Sequence, residues 1–211
     1  MRSAIFPLII INVIMYLLQN AVEGFTETFV LISAIVLSEP WRLVTSMFLH
    51  GSQVHIFLNM FVLFIFGPVL EQRIGTKKFL QIYFISGLAA GLLAVLFYEA
   101  ALGASGAIMG IVGATIYLLP NLRVLLFFII PMPLWFAGII IAGIDFLGML
   151  NIISLGSRNI AHAAHLGGMA AGFLLAHYLK GKSKKIRMNR FESKTHLTAD
   201  EIDEYMKNGR I

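Results

Sequence analysis

The chain has 211 residues, of which 58% are hydrophobic and only 13% are charged. A soluble domain of this size could not bury so much apolar surface, so the composition indicates an integral membrane protein. The net charge of +5 does not indicate nucleic-acid binding, because seven Lys and Arg residues are concentrated between Lys180 and Lys194. The chain has no cysteine, which excludes disulfides and thiolate chemistry.

Six apolar runs without charges recur along the chain, each long enough for the roughly 20 residues that a transmembrane helix needs: 3–22, 43–70, 79–98, 100–122, 124–144 and 159–179. We predict transmembrane helices near residues 4–20, 54–70, 79–98, 104–119, 133–150 and 160–179. The predicted fold class is therefore an all-α integral membrane protein that crosses the bilayer six times.

Two other apolar stretches are interpreted as lying at the membrane surface. Residues 29–37 are too short to span the bilayer and are flanked by acidic residues, so we interpret them as interfacial or re-entrant. Trp41 and Arg42 follow them as an amphipathic anchor. Residues 124–133 end with two prolines, which disfavour a helix, and are interpreted as an interfacial extended segment.

The distribution of Lys and Arg predicts that both termini are cytoplasmic, because cytoplasmic loops carry an excess of basic residues. With the N-terminus inside, the inner loops carry Arg2, Arg73, Lys77, Lys78 and Arg123 in addition to the basic tail. The outer loops carry only Arg42 and Arg158.

The chain is predicted to form one membrane domain followed by a tail. Residues 1–180 make up the six-helix domain, and residues 181–211 form a basic cytoplasmic tail that attracts anionic lipid head groups. In the tail, the segment from Thr198 to Glu201 resembles a capping box that opens a short helix. No cleavable signal peptide is evident, and we expect a multi-pass protein of a prokaryotic cell membrane.

Polar side chains are costly at membrane depth and mark candidate functional positions. They comprise Asn12, His50, His55, Asn59, Glu71, Ser105, Asp145, His162, His165 and His177. His55 and Asn59, spaced i,i+4, share a face of the second predicted helix. Ser105 opens the fourth helix, and His165 lies near the start of the sixth. Under the predicted topology these four groups all fall in the outer part of the membrane, which predicts a shared site.

Ser105 lies in the small-residue stretch GASGAIMG, residues 103–110. Small residues commonly mediate helix packing in membranes, and a nucleophile needs the same space so that a base on a neighbouring helix can approach to about 3 Å. Gly106 on the fourth helix, with Gly168 and Gly172 on the sixth, predicts that these two helices pack closely. We call this predicted contact the glycine seam. The start of a helix also favours negative charge, such as an oxyanion beside Ser105.

The predicted seam sets an expectation for bulky substitutions. Val at Gly168 is expected to separate the fourth and sixth helices and so to reduce both stability and activity. Val at Gly148, which the sequence places outside the seam, is expected to be mild.

Several of these residues have alternative interpretations. His165 alone suits a buried side chain bonded to a carbonyl, and Asn59 suits a contact between helices. The histidines at positions 50, 55, 162 and 165 could together bind a metal, although no intramembrane carboxylate joins them and no H-E-x-x-H motif is present. Asp145 is a candidate third member of a triad. Nothing in the sequence places it against His165, so it is interpreted as structural.

Five short motifs follow one another between Trp41 and Tyr178. They are Trp41-Arg42, His50 with His55 and Asn59, Glu71-Gln-Arg73-Ile-Gly75, Gly103-Ala-Ser105-Gly106, and Ala164-His165 followed by Gly168 and Gly172. Each motif alone is weak, but their order and spacing together are highly specific. In these motifs the chain resembles the rhomboid family of intramembrane serine proteases.

The resemblance implies that Ser105 is the nucleophile and His165 the general base of a dyad without an essential aspartate. It implies that His55 and Asn59 line the oxyanion hole together with the Ser105 backbone N–H, and that Gly103 permits the chain geometry before the serine. The remaining motif residues are implied to be structural: Gly106, Gly168, Gly172, Trp41, Arg42, Glu71 and Arg73.

Two positions depart from the motifs of this family. Met109 stands four residues after the serine, where the family often has an aromatic residue, and a thioether orients the neighbouring imidazole less firmly. His162 falls outside the motif and is not implied to be catalytic.

The expected function is hydrolysis of peptide bonds in transmembrane segments of membrane-protein substrates. The expected partners are those substrates and the lipid bilayer, with no nucleic acid, cofactor or metal. The alternative is a member of the family that has lost catalysis and binds transmembrane clients. A transporter is disfavoured, because the sequence shows no repeat of paired broken helices.

Overall fold

The computed structural model describes residues 3–126, 129–150, 152, 161–195 and 200, which are mostly helical as predicted. In chain order the helices are α1 (Ile5–Ala21), α2 (Phe25–Phe29), α3 (Arg42–Thr45), α4 (Gln53–Ile74), α5 (Thr76–Phe97), α6 (Ser105–Leu118), α7 (Leu134–Met149) and α8 (His162–Thr195). The strands are β1 (Leu31–Ile32), β2 (Ala100–Ala101), β3 (Arg123–Leu126) and β4 (Ile130–Pro133).

Six of these helices, α1 and α4 to α8, coincide with the six predicted segments. Both α4 and α5 have 22 residues and are long and apolar enough to cross a membrane, whereas α1, α6 and α7 are shorter apolar helices. Helix α8 continues to Thr195, so the predicted end of the membrane domain at residue 180 lies inside a helix. Of the predicted capping box from Thr198 to Glu201, only Asp200 lies within the described residues.

The chain between α1 and α4 folds into short elements that are held together by Arg42. Strand β1 pairs antiparallel with β2, which ties this loop to the segment before α6. The Arg42 guanidinium is buried and donates to the Glu39 carboxylate at 2.5 Å and to the carbonyls of Glu27 and Val30 at 2.8 and 2.7 Å. Arg42 thus has a specific structural role, whereas Trp41 beside it is half exposed.

Strands β3 and β4 form an antiparallel hairpin between α6 and α7. Arg123 lies opposite Pro133, and Leu126 lies opposite Ile130. The prediction of an extended segment over residues 124–133 is confirmed for 124–126 and 130–133, while residues 127 and 128 lie outside the described residues. The pairing was not predicted, because prolines cannot donate to a ladder and are tolerated mainly at strand edges.

Glu71 joins the end of α4 to the start of α1, both of which lie on the predicted cytoplasmic side. Its carboxylate accepts hydrogen bonds from Ser3 Oγ at 2.5 Å and from the Ala4 backbone N–H at 2.8 Å, at the start of α1. The free N–H groups at a helix start need such an acceptor, and a negative charge suits the positive end of the helix dipole. Arg73, two residues later in the last turn of α4, is exposed.

Helix α6 is the centre of the helical core, packed against α4, α5 and α8. Its residues 106–108 and 110–115 are buried. A Cβ atom on Gly168 would collide with the carbonyl oxygen of Gly106, and one on Gly172 would collide with that of Gly110. The predicted close seam between α6 and α8 is therefore confirmed, because the two backbones touch where side chains would otherwise stand.

Gly148 does not lie in a tolerant position, and the expectation that Val would be mild there is wrong. A Cβ atom at this glycine would lie 2.5 Å from Nε2 and 2.6 Å from Cε1 of His162. No motif or spacing in the sequence indicated that the His162 imidazole of α8 lies on this turn of α7. On the same helix, a Cβ atom at Gly143 would meet nothing within 4 Å.

Candidate active site

Ser105 and His165, which lie 60 positions apart in the sequence, meet across the seam between α6 and α8. Ser105 is the first residue of α6, as predicted, and His165 lies in the first turn of α8. The distance between Ser105 Oγ and His165 Nε2 is 2.9 Å, which is hydrogen-bonding distance. The contact of Gly106 with Gly168 lies one residue after Ser105 and three after His165, so the glycine seam sets this distance.

Gly103 shapes the approach to the serine and brings the His55 ring close to it. Its φ of +128° is strained for any residue with a side chain. A Cβ atom there would lie 2.9 and 3.0 Å from Cε1 and Nε2 of His55, and 3.6 Å from Ser105 Oγ. The backbone N–H of Gly103 donates to the Ser46 carbonyl at 2.9 Å, which fixes this turn.

The hydrogen bonding of His55 leaves one of its ring nitrogens available as a donor. The Gly51 backbone N–H donates to Nδ1 of the imidazole at 3.4 Å. A neutral imidazole that accepts at Nδ1 carries its proton on Nε2, which is the atom 3.0 Å from where a Cβ on Gly103 would stand. Ser52 supports this position as the N-cap of α4, since its Oγ accepts from the His55 backbone N–H at 3.1 Å.

Asn59 lies one helical turn after His55 on α4 and is buried. Its amide Nδ2 donates to no group in the described part of the chain. An unpaired buried donor is costly, so its presence calls for an explanation such as a role in binding or catalysis. A carbonyl oxygen that becomes negatively charged is an acceptor suited to this donor.

His50 lies beside His55 with its ring edge against the neighbouring imidazole, at a centroid distance of 5.1 Å. Both its ring nitrogens are buried and have no hydrogen-bond partner among the described residues. Gln19 of α1 fixes its backbone, accepting from the His50 N–H at 2.8 Å and donating to its carbonyl at 3.3 Å. The first histidine of the motif thus lies against the one that approaches Ser105.

Asp145 contacts the candidate base, a placement that the sequence could not provide. Its Oδ1 lies 3.2 Å from Nδ1 of His165 and 2.7 Å from Nδ1 of His162. The sequence left Asp145 as a structural residue, because nothing placed it against His165, and the structure corrects this with a direct contact. The i,i+3 spacing of the two histidines was a signal that they share a face of α8, but no motif indicated that α7 packs against that face.

The four histidines that were considered as metal ligands form two pairs with different partners. His50 faces His55, whereas His162 and His165 both face the carboxylate of Asp145. No group of three or more His, Asp or Glu residues in the described ranges has the geometry of a metal site.

The candidate site residues all lie within a region of the chain that matches a known protein family. The family model described as "Rhomboid domain" matches residues 37–182. The chain is 28% identical to "Rhomboid protein 1, mitochondrial" of Saccharomyces cerevisiae over 203 residues, which are 91% of this chain and 58% of that protein. It is 35% identical to "RHOMBOID-like protein 6, mitochondrial" of Arabidopsis thaliana over 147 residues, 67% of this chain and 44% of that protein.

A bacterial relative is also similar. The chain is 32% identical to "Rhomboid protease GluP" of Bacillus subtilis over 177 residues, 80% of this chain and 33% of that protein. The chain therefore spans between 33% and 58% of the length of these curated relatives. Because they include mitochondrial proteins of yeast and Arabidopsis, they do not support the prediction of a prokaryotic cell membrane in particular.

Proposed function

Because the chain belongs to the rhomboid family, we propose that it is an intramembrane serine endopeptidase that cleaves transmembrane segments of other proteins. The observation that carries this proposal is the 2.9 Å contact between Ser105 Oγ and His165 Nε2. A serine hydrogen-bonded to an imidazole is the nucleophile and base that acyl transfer requires, and Asn59 Nδ2 is a buried donor without a partner among the described residues. The steps below need no cofactor or metal.

The proposed architecture is a six-helix bundle with both termini in the cytoplasm and the dyad in its outer half. Large apolar side chains on the outside of five helices support membrane embedding, which the family also implies. Examples with more than half of their surface exposed are Leu17, Phe57, Leu96, Ile139 and Leu174. In water these side chains would be an unfavourable surface, whereas acyl chains solvate them.

In the first proposed step, Ser105 Oγ attacks the carbonyl carbon of the scissile bond while its proton passes to His165 Nε2. The carbonyl oxygen becomes an oxyanion as the carbon becomes tetrahedral. His55 Nε2–H, Asn59 Nδ2 and the Ser105 backbone N–H then donate to that oxygen. The start of α6 adds the positive end of its helix dipole.

In the second proposed step, the C–N bond breaks and the leaving amine takes the proton from His165 Nε2. Water then attacks the acyl–serine ester with His165 as the base, which releases the new carboxylate and restores the serine. A substrate helix must unwind locally before its carbonyl can reach Ser105, since its backbone is otherwise internally bonded. Small and helix-breaking residues near the cut are therefore expected to favour cleavage.

The test uses the full chain reconstituted in liposomes with a reporter protein that has one transmembrane helix. Cleavage of the reporter is followed by mass spectrometry of the products, and serine activation by covalent labelling with a fluorescent phosphonate. We expect both reactions for the wild-type chain and neither for Ser105→Ala. A chain that binds the reporter helix but neither cleaves it nor takes the label would instead be a client-binding member of the family.

A further inference from the structure

The carboxylate of Asp145 lies between the two imidazoles that α8 presents to α7. Its Oδ1 is 2.7 Å from His162 Nδ1 and 3.2 Å from His165 Nδ1. Only 5% of the Asp145 surface is exposed, although the residue belongs to a helix with many exposed apolar side chains. An ionisable group that is buried in this way is costly unless its partners compensate for the loss of water.

The proton positions in the proposed mechanism assign a specific task to this carboxylate. His165 Nε2 must be free of a proton to accept the one on Ser105 Oγ, so the neutral ring must carry its proton on Nδ1. Nδ1 faces Asp145 Oδ1, and an ionised carboxylate only accepts hydrogen bonds. The carboxylate thus selects the tautomer of His165 that can act as a base.

We propose that Asp145 is a positioning residue that orients His165 and stabilises the imidazolium formed when Ser105 gives up its proton. The proposed reaction then depends on three hydrogen-bonded residues, Ser105, His165 and Asp145, rather than on a serine and a histidine alone. This inference rests on the proposed protease function. The logic is that of soluble serine proteases, in which a buried aspartate holds the base in its working tautomer without itself becoming protonated.

His162 holds the carboxylate in place for this task. Its Nδ1–H donates to the same Oδ1 as His165 does, over the shorter distance of 2.7 Å. The His162 ring in turn lies on Gly148, where a Cβ atom would approach its Nε2 to 2.5 Å. Gly148 therefore leaves room for the His162 ring, and Asp145, one turn away on α7, bonds it. The other imidazole of α8, that of His165, contacts Ser105.

The test measures phosphonate labelling, kcat and KM with the transmembrane reporter, and thermal melting, for the full-length chain in liposomes. Asp145→Asn preserves the shape of the side chain but removes its charge. We expect labelling rate and kcat to fall on the order of 10²- to 10⁴-fold, because the wrong tautomer of His165 cannot act as the base, with KM and melting temperature close to wild type. Gly143→Ala on the same helix, where an added Cβ meets nothing within 4 Å, is the control and should behave as wild type.

The variant His162→Ala distinguishes two possible roles of Asp145, which are to orient His165 and to hold α7 against α8. It removes one bond to Asp145 but leaves the bond to His165, so its loss of kcat should be smaller than that of Asp145→Asn. Equal losses in the two variants would show that Asp145 acts only by joining the helices. Wild-type labelling and kcat in Asp145→Asn would overturn the inference and leave the protease function intact. A wild-type chain that neither labels nor cleaves would remove both.

A second measurement reads the wild-type chain directly and uses a variant only to assign one signal. Nitrogen-15 NMR of histidine-labelled wild-type chain, with His165 assigned from the signal lost in His165→Gln, reports which ring nitrogen carries the proton. We expect the proton of His165 on Nδ1. A neutral His165 with its proton on Nε2 would contradict the inference, whatever the activity of the variants.

Discussion

At the scale of single residues, the proposed mechanism makes Ser105 and His165 one chemical unit. Ser105→Ala and His165→Ala should each abolish cleavage of the transmembrane reporter, and the double variant should be no worse than either. Residues that share one proton transfer are non-additive in this way. The measurement is single-turnover cleavage at saturating enzyme. Losses that multiply in the double variant would argue against a shared transfer.

Asn59 offers a residue-scale test of the oxyanion hole. Asn59→Ala should lower kcat by about 10- to 1000-fold, because one lost donor commonly costs about 2.7–4 kcal/mol and other donors remain. Since Nδ2 has no partner within the described residues, the substitution breaks no bond of that amide nitrogen there, and the melting temperature should not fall sharply. A large drop in melting temperature with unchanged kcat would assign Asn59 to helix packing instead.

The contrast between Ser105 and Asp145 shows which site residues a sequence can reveal. Ser105, His165, His55 and Asn59 stand in motifs with fixed local spacing, so helix periodicity and topology predicted a shared site, and the structure brings Ser105 and His165 to 2.9 Å. Asp145 carries no such signal, because its contact with His165 depends on the rotation of α7 about its axis and on the rotamers of three side chains. Neither quantity is encoded in a short stretch of the chain.

At the scale of helices, the close packing at the glycine seam predicts that a valine side chain there lowers both stability and activity. Gly168→Val should reduce both melting temperature and cleavage, because its Cβ meets the backbone carbonyl of Gly106, which cannot rotate away. Overpacking typically costs about 1–3 kcal/mol, and a shift near 1 Å between reacting groups can cost about 100-fold in rate. Gly172→Val, a turn further from the dyad, should act more through stability.

The matched control for the seam is Gly143→Val on α7, since Gly148 faces the His162 ring and is unsuitable. Melting is followed by intrinsic fluorescence and cleavage with the transmembrane reporter. Wild-type melting and wild-type cleavage in Gly168→Val would mean that α6 and α8 do not pack through this seam.

A second prediction at the helix scale concerns the contact of α4 with the start of α1. Glu71→Ala removes the acceptor for Ser3 Oγ and the Ala4 N–H, and loss of an N-terminal acceptor typically costs about 0.5–2 kcal/mol. Melting temperature should fall, while the rate of phosphonate labelling should remain near wild type, because the dyad lies at the other end of the bundle. Arg73→Ala, at an exposed position in the same turn, is the control. A labelling defect in Glu71→Ala without a change in melting would contradict this assignment.

At the scale of the whole molecule, the absence of cysteine allows a direct test of the proposed topology. Glu99→Cys and Lys77→Cys place single thiols at exposed positions on opposite ends of α5. In intact cells an impermeant maleimide should label Glu99→Cys and spare Lys77→Cys, which should react only after permeabilisation. The reverse pattern would place the dyad in the cytoplasmic half of the membrane.

The positions of the six long helices in the described part of the chain could be predicted, because they coincide with long apolar runs that are separated by charged residues. The architecture of the loops could not. Arg42 was predicted as a surface anchor, yet its guanidinium is buried among carbonyls that lie 12 and 15 residues earlier. Such long-range bonds, like the pairing of β3 with β4, depend on where the helices bring the chain and leave no periodic pattern.

The β3–β4 hairpin lies between the helix that carries Ser105 and the helix that carries His165. A cut in this hairpin would divide the chain into two fragments, each with half of the dyad and one face of the glycine seam. Membrane helices associate through close packing once they are inserted, so the fragments retain the surfaces that bring them together. Under the proposed function, cleavage of a substrate would then require that the two fragments associate, so the rate of cleavage would report helix association in a bilayer.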